Sequence, residues 1–175
     1  MSEKARKTPV RGALRQDSIL LPNVKDGLGD VKAAHRQLID GSIRTTFVDS
    51  LEIDDNLKPG RDQENRWDYL LGHGPSGSLV ALEPHSAKDD QVSTVIRKRE
   101  AALKQLGPHL RDGARIEKWL WVASGAVYFA RTEKVSIRLI QSGIEFVGKM
   151  VTKKHIAFSE SPPSRAASTR QNRKK

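Results

Sequence analysis

Residues 67–83 read WDYLLGHGPSGSLVALE, and this stretch carries the pattern that decides the fold. Two short apolar runs flank a segment at 72–78 that is rich in glycine, serine and proline. Such a pattern predicts a β-hairpin with a loose turn. The second apolar run is followed at once by Glu83 and, two residues later, by His85. A carboxylate and an imidazole at the end of a predicted buried strand raise the question of whether this edge is a catalytic site, the relic of one or only the solvated end of the strand.

The segment before the hairpin is predicted to hold one helix and one long loop. The sequence DVKAAHRQLIDG at 30–41 spaces its apolar residues for one helical face. Asp30 suits the N-cap of this helix, and Gly41 suits the position just past its end. Residues 42–66 are polar and irregular, so we expect a long surface loop there.

A strong helix is predicted over 89–107, after the hairpin. Asp89 or Asp90 suits its N-cap, and Gly107 followed by proline ends it. The predicted apolar stripe of this helix consists of Val92, Val95, Ile96, Leu103 and Leu106.

A central buried strand is predicted at 118–124, where KWLWVAS is a continuous run of apolar, aromatic and β-branched residues. Ser124-Gly125 predicts a turn, after which AVYFA at 126–130 is expected to return as the second strand of a hairpin. Thr132 suits the N-cap of a last short helix, which we expect to end at Gly143.

The chain is expected to end its folded part with IEFVG at 144–148, which predicts a final strand. Taken in order, the elements predict an α/β protein with a mixed central β-sheet flanked by helices. We expect a flexible basic N-terminal segment over 1–24, a single α/β domain over 25–150 and a disordered basic C-terminal tail over 151–175.

The net charge of +10 is concentrated near the two ends of the 175-residue chain. Residues 1–15 carry five Lys or Arg and one acidic residue, and residues 148–175 carry eight and one, so the remainder is close to neutral. Basic ends of this kind favour solubility, and they also attract nucleic acid through counterion release. The absence of cysteine excludes disulfides and Cys-based zinc sites.

The N-terminus has no apolar core typical of a secretory signal, and the sequence contains no apolar run long enough to span a bilayer. We therefore expect a soluble cytoplasmic protein.

Asp68 opens the first predicted strand of the hairpin, and Glu83 ends the second strand fifteen residues later. In an antiparallel pair the start of one strand lies beside the end of the other, so we expect the two carboxylates to converge. Converging carboxylates repel each other unless a proton or a cation lies between them, and such a pair suits a divalent metal.

The element order αβββαβ, an Asp opening a strand and an apolar strand that ends in Glu-x-basic resemble the PD-(D/E)XK nucleases, the restriction-endonuclease-like superfamily. The resemblance covers residues 28–148. It implies a restriction-endonuclease-like core in which Asp68 and Glu83 bind Mg²⁺ or Mn²⁺. The backbone carbonyl of Pro84 is a further possible ligand.

The main departure from the family is His85, which stands where the family has lysine. His85 would orient or deprotonate water, although it lacks the fixed charge of an ammonium group. Lys88 and Arg99 are the candidates to supply that charge near a phosphate. Arg99 lies in the middle of the predicted apolar stripe, whereas Lys98 is expected outside it.

Single residues also allow plain structural roles. Asp68 would cap a strand or pair with Arg66, Glu83 would be solvated, and the Arg99 stem would be buried with its head in water.

The resemblance implies a nucleic-acid-processing domain, with metal-dependent endonuclease activity on DNA as the leading hypothesis. A catalytically inactive nuclease-like fold that binds nucleic acid or a protein partner, including a second copy of the chain, is the alternative. A purely electrostatic binder with an inert core is a third reading.

Overall fold

The computed structural model describes residues 7–60, 63–128 and 132–158. This part of the chain is an α/β fold with a six-stranded mixed β-sheet and flanking helices. The strands are β1 (Lys25–Asp26), β2 (Phe47–Glu52), β3 (Tyr69–His73), β4 (Ser78–Lys88), β5 (Ile116–Tyr128) and β6 (Ile144–Phe146). The helices are α1 (Pro9–Ala13), α2 (Ala33–Arg36), α3 (Ile53–Leu57), α4 (Val92–Leu106) and α5 (Glu133–Gln141).

The strands lie in the sheet in the same order as in the chain. Strands β1 to β4 form an antiparallel meander, whereas β4, β5 and β6 are parallel to one another. A parallel connection needs a crossover, and α4 and α5 supply the two crossovers. The predicted hairpin and the predicted mixed sheet with flanking helices are confirmed.

Each face of the sheet has its own apolar core, because successive side chains on a strand point to opposite faces. On β4, Leu79 and Ala81 pack with the buried residues of α4, whereas Val80 and Leu82 pack on the opposite face. Glu83 continues the alternation onto the face that α4 covers. The three tryptophans, Trp67, Trp119 and Trp121, are buried in this same core.

Residues 7–24 differ from the flexible segment that we expected over 1–24, because they pack against the sheet. Val10, Leu14 and Leu20 are fully buried. The start of α1 is held by Asp49 on β2, whose carboxylate accepts hydrogen bonds from the Val10 N–H (3.2 Å) and the Arg11 N–H (3.0 Å). The basic composition of this segment predicted flexibility, whereas the buried Val10, Leu14 and Leu20 anchor it to the sheet.

Glycine is required at position 72 because the Asp49 carboxylate lies directly over it. A Cβ atom at Gly72 would overlap Asp49 Oδ1 and would approach the Cβ of Pro9 to 3.0 Å. Strands β2 and β3 and helix α1 can therefore approach one another closely at this point only because glycine has no side chain.

The expectation of a long loop over 42–66 is wrong for part of that range. Strand β2 and helix α3 lie within it, and Phe47, Leu51 and Ile53 are buried. The strand was hidden because Asp49 and Ser50, both fully buried, interrupt the alternation of apolar and polar residues.

The helix predicted over 30–41 is shorter than expected, because only α2, a single turn, is helical there. Asp30 does not cap it. Its carboxylate instead accepts a hydrogen bond from the Glu52 N–H (2.6 Å) and pairs with Lys25 (2.8 Å). Asp30 therefore ties the segment before α2 to the sheet.

Strand β5 is one long strand, so the hairpin predicted at Ser124-Gly125 is wrong. His85 pairs with Ala123, and Ala87 pairs with Val127, so β5 uses two more residues than β4 across this interval. The Ser-Gly pair accommodates a bulge rather than a reversal of the chain. Strand β4 likewise continues to Lys88, past the end that we expected at Glu83.

The predicted helices of the second half are confirmed, with small shifts at their starts. A 3-10 turn, Asp89–Gln91, precedes α4, and Gln91 rather than an aspartate is its N-cap. The Thr132 hydroxyl caps α5 by accepting from the Val135 N–H (3.2 Å). Gly143 follows α5 with a φ of +69°, the left-handed conformation that favours glycine.

The first residues of the expected C-terminal tail belong to the fold. Val151, His155 and Ile156 are buried, and Val151 bridges to Ile39. The remainder of that expected tail, from residue 159 onward, lies outside the described residues. Among the helices of the described part, none has the length and apolar character needed to cross a bilayer.

Candidate functional site

Asp68 and Glu83 meet at the end of the β3–β4 hairpin that lies opposite its turn. The two strands pair in a register that sets Tyr69 against Leu82, which places Asp68 opposite Glu83 one step further along. The Asp68 N–H donates a hydrogen bond of 2.9 Å to Glu83 Oε2. The structure therefore brings together the two residues that sequence reasoning selected as metal ligands.

Glu83 is buried to 0% exposure although it carries a carboxyl group. Its Oε1 contacts the Lys98 ammonium, and its Oε2 accepts from Asp68, so both oxygens have partners. Burial raises the pKa of the Glu83 carboxyl to about 8, and the Asp68 carboxylate acts in the same direction. Lys98 and the Asp68 N–H lower this pKa and offset part of the effect.

Lys98 on α4 is the residue that sequence reasoning missed. Its Nζ contacts Glu83 Oε1 and lies 3.5 Å from Asp68 Oδ1, so a single ammonium faces both carboxylates. The side chains of Lys98 and Asp68 are 14% and 23% exposed, so the site has an outer side that solvent reaches.

A signal for Lys98 was present in the sequence. Val95 and Ala102 are buried on α4, and position 98 lies three and four residues from them, which places it beside the buried face. A lysine at that border can carry its stem along the core and reach a strand with its head. The predicted stripe contains large apolar residues alone and therefore leaves out this border position.

His85 lies two residues beyond Glu83, on the same face of β4. Its Nε2 is 2.8 Å from Gln91 Oε1, and its Nδ1 is 3.5 Å from Glu83 Oε1. A carbonyl oxygen only accepts hydrogen bonds, so the Nε2–H donates to Gln91, while Nδ1 faces the Glu83 carboxyl oxygen. His85 therefore links the carboxylate site to the 3-10 turn that precedes α4.

The structure does not bring Lys88 to the carboxylates. Lys88 is the exposed last residue of β4, five residues past Glu83, which corresponds to roughly 16 Å along an extended strand.

Arg99 also lies elsewhere than sequence reasoning placed it. Its guanidinium stacks over the Trp119 ring at 5.0 Å from the centroid and lies against Gly143. We expected Arg99 to pair with Glu83 or a phosphate, whereas its observed partner is the indole, in a cation–π contact.

A second pair of polar groups lies near Asp68 on the opposite side of the sheet. The Tyr69 hydroxyl is 2.7 Å from His35 Nδ1 and accepts a hydrogen bond from the Lys32 N–H (3.3 Å). Burial raises the pKa of Tyr69 to about 12 and lowers that of His35, and the Asp68 carboxylate opposes the lowering at His35. The charge of Asp68 therefore influences Glu83 and Lys98 as well as His35 and Tyr69.

The donor set of the site suits a hard divalent cation. Residues 7–60, 63–128 and 132–158 contain no group of three or more His, Asp or Glu side chains arranged to hold a metal ion. Mg²⁺, however, is often held by one or two carboxylates and completes its shell with water and substrate phosphate. Asp68 and Glu83 fit that requirement, provided that the Lys98 ammonium withdraws from between them.

Comparisons with protein-family models, with curated proteins and with solved structures found no match for this chain. The site is therefore interpreted from its own geometry.

Proposed function

We propose that this protein is a divalent-metal-dependent phosphodiester hydrolase that acts on nucleic acid, with DNA as its substrate, and that its core is restriction-endonuclease-like. The observation that carries the proposal is the convergence of Asp68 and Glu83 with one ammonium, that of Lys98, between them. A buried carboxylate that faces a second carboxylate across a hairpin needs a proton or a cation between them, and a site open on one side can exchange such a cation for a metal.

The topology supports the same proposal. Three strands, β2 to β4, form an antiparallel meander, and α4 then crosses over to the parallel strand β5. This is the αβββαβ order of the PD-(D/E)XK resemblance. Asp68 directly precedes β3 and Glu83 lies on β4, in keeping with the resemblance, in which an Asp opens one strand and the Glu lies on the next.

A divalent ion held by Asp68 and Glu83 would polarise the scissile phosphate and lower the pKa of a bound water. Charge neutralisation and proton transfer would be carried out by side chains of the protein. The Lys98 ammonium would neutralise the negative charge that develops on the phosphate, in place of the lysine that the family carries two residues after the Glu. The Nδ1 of His85, which faces Glu83 Oε1 at 3.5 Å, would orient the attacking water or accept its proton, while Gln91 holds the ring through Nε2.

The direct test is the nicking of supercoiled DNA with Mg²⁺ or Mn²⁺ by the wild type and by Glu83→Gln, which keeps the shape of the side chain. We expect the substitution to reduce the rate by roughly a hundredfold or more, because it removes a ligand rather than an outer-shell partner. Glu117→Gln is the matched control, since Glu117 is an exposed acid on the neighbouring strand β5. Equal rates in all three proteins would overturn the proposal.

A catalytically inactive binding module is the second candidate function. It is favoured by the replacement of the family's lysine by His85 and by the fact that Lys98 already neutralises the buried carboxyl group. This module would bind DNA without metal and without cleavage, and its DNA affinity would not change in Glu83→Gln.

A further inference from the structure

The Lys98 ammonium lies where a metal ion held by both carboxylates would have to lie. It contacts Glu83 Oε1 and is 3.5 Å from Asp68 Oδ1. A divalent ion bound to the same two oxygens would be within a few ångströms of this positive charge, and repulsion between like charges at such a distance is strong in a partly buried site. Metal and ammonium therefore compete for one position.

The Lys98 ammonium can leave the carboxylates most easily toward the side of the site that solvent reaches. Glu83 is fully buried, whereas the side chains of Asp68, His85 and Lys98 are 23%, 25% and 14% exposed. The partly exposed side chains of Asp68, His85 and Lys98 form the side from which an anion would approach the Lys98 head. The lysine side chain has four rotatable bonds, so a small rotation moves the ammonium from the carboxylates toward such an anion.

Resting on the proposed function, we propose that Lys98 is an internal counter-ion that leaves the carboxylates when a phosphodiester binds, so that metal and nucleic acid bind cooperatively. Without phosphate, Lys98 keeps the metal affinity low. With phosphate, the ammonium has a new partner, and the two carboxylates are free to hold the ion. Coupling of this kind is reciprocal, so metal also strengthens the binding of the phosphodiester by the same factor.

The test is a calorimetric titration of Mg²⁺ into the full chain at pH 8.5. Dimethyl phosphate, the smallest phosphodiester, is the probe, and sodium chloride at equal ionic strength is its control. For the wild type we expect the dissociation constant of Mg²⁺ to fall at least about tenfold when the probe is present. This measurement uses the unaltered protein, so it does not depend on the folding of a variant.

The substitution Lys98→Met removes the charge and keeps most of the side-chain volume. We expect this variant to bind Mg²⁺ about tenfold or more tightly than the wild type without the probe, and to show no further gain with it. Lys104→Met removes an exposed charge from the same helix and should behave as the wild type.

Two outcomes overturn the inference in different ways. If the wild type binds Mg²⁺ and neither dimethyl phosphate nor Lys98→Met changes the affinity, the counter-ion role is wrong and the proposed function survives. If no protein binds Mg²⁺ under any of these conditions, both the inference and the proposed function fail.

Discussion

At the scale of one residue, the buried acid Glu83 makes the stability of this protein depend on pH. Its carboxyl group has no exposed surface, and burial raises its pKa from an ordinary 4.5 to about 8. The folded chain therefore binds this proton more tightly than the unfolded chain does. The resulting stabilisation is fully present below pH 4.5 and is lost as the pH rises through about 8.

The change Glu83→Gln should remove this pH dependence. Relative to the wild type, the variant should gain free energy of unfolding between pH 5 and pH 8, by at most on the order of 1.4 kcal/mol for each pH unit. Urea unfolding in the presence of a chelator, at several pH values, measures the difference. Glu117→Gln, at an exposed position, is the control. A constant difference between wild type and Glu83→Gln across this range would show that Glu83 is ionised in the fold.

At the scale of one element, the side chain of Asp49 holds helix α1 of the N-terminal segment to the sheet. Asp49 is fully buried on β2 and accepts the first two free N–H groups of α1, those of Val10 and Arg11. The same segment contributes buried apolar residues to the core shared with α4. The docking of α1 therefore depends on the two acceptor oxygens of one buried carboxylate.

The change Asp49→Asn should destabilise the fold by about 1–3 kcal/mol, because an amide offers one acceptor and sets a donor against the other N–H group. Asp26→Asn is the matched control. Asp26 pairs with the Arg11 side chain but is 89% exposed, so its loss should cost about 0–1 kcal/mol. Denaturant unfolding measures both values, and amide exchange at Val10 and Arg11 reports the docking directly. Equal stability of the two variants would contradict this account of Asp49.

Elements with a strong local pattern could be predicted from the sequence. The β3–β4 hairpin has an apolar run on each side of a Gly/Pro/Ser turn, and α5 has both a Thr132 cap and a Gly143 stop. Strand β2 could not be predicted, because Asp49 and Ser50 find their partners on segments distant in the chain. The bulge in β5 likewise depends on the pairing with β4, which the local Ser124-Gly125 signal does not reveal.

The two carboxylates of the candidate site could be predicted from the sequence, but the lysine that faces them could not. Asp68 and Glu83 follow from strand order and register alone. Lys98 and Arg99 are neighbours on α4, and both border its buried face, so the choice between them depends on what faces each one. Trp119 faces Arg99, and the two carboxylates face Lys98, a difference that only the tertiary structure shows.

At the scale of the whole molecule, part of the positive charge lies outside the described residues. Residues 159–175 carry five Lys or Arg and one acidic residue. If these bases contact phosphates, removing them should make the slope of log affinity against log salt shallower by up to about 4.5. Truncation should begin after Phe158, because His155 and Ile156 are buried and belong to the fold.

DNA binding at several salt concentrations, measured for the full chain and for the chain truncated after Phe158, tests this role of the C-terminal bases. A variant of full length in which the five basic residues are replaced by glutamine is the matched control, and it should behave like the truncated chain. An unchanged salt slope in both altered proteins would show that the basic C-terminus takes no part in binding.

The central claim is that Asp68 and Glu83 together hold one divalent ion. The measurement that tests it most directly is the binding of Mg²⁺, by titration calorimetry with dimethyl phosphate present, to the wild type, Asp68→Asn and Glu83→Gln. The account predicts one ion per chain for the wild type and a loss of affinity of roughly a hundredfold or more in each variant. Binding by the variants as tight as that of the wild type, or no binding by the wild type, would contradict it.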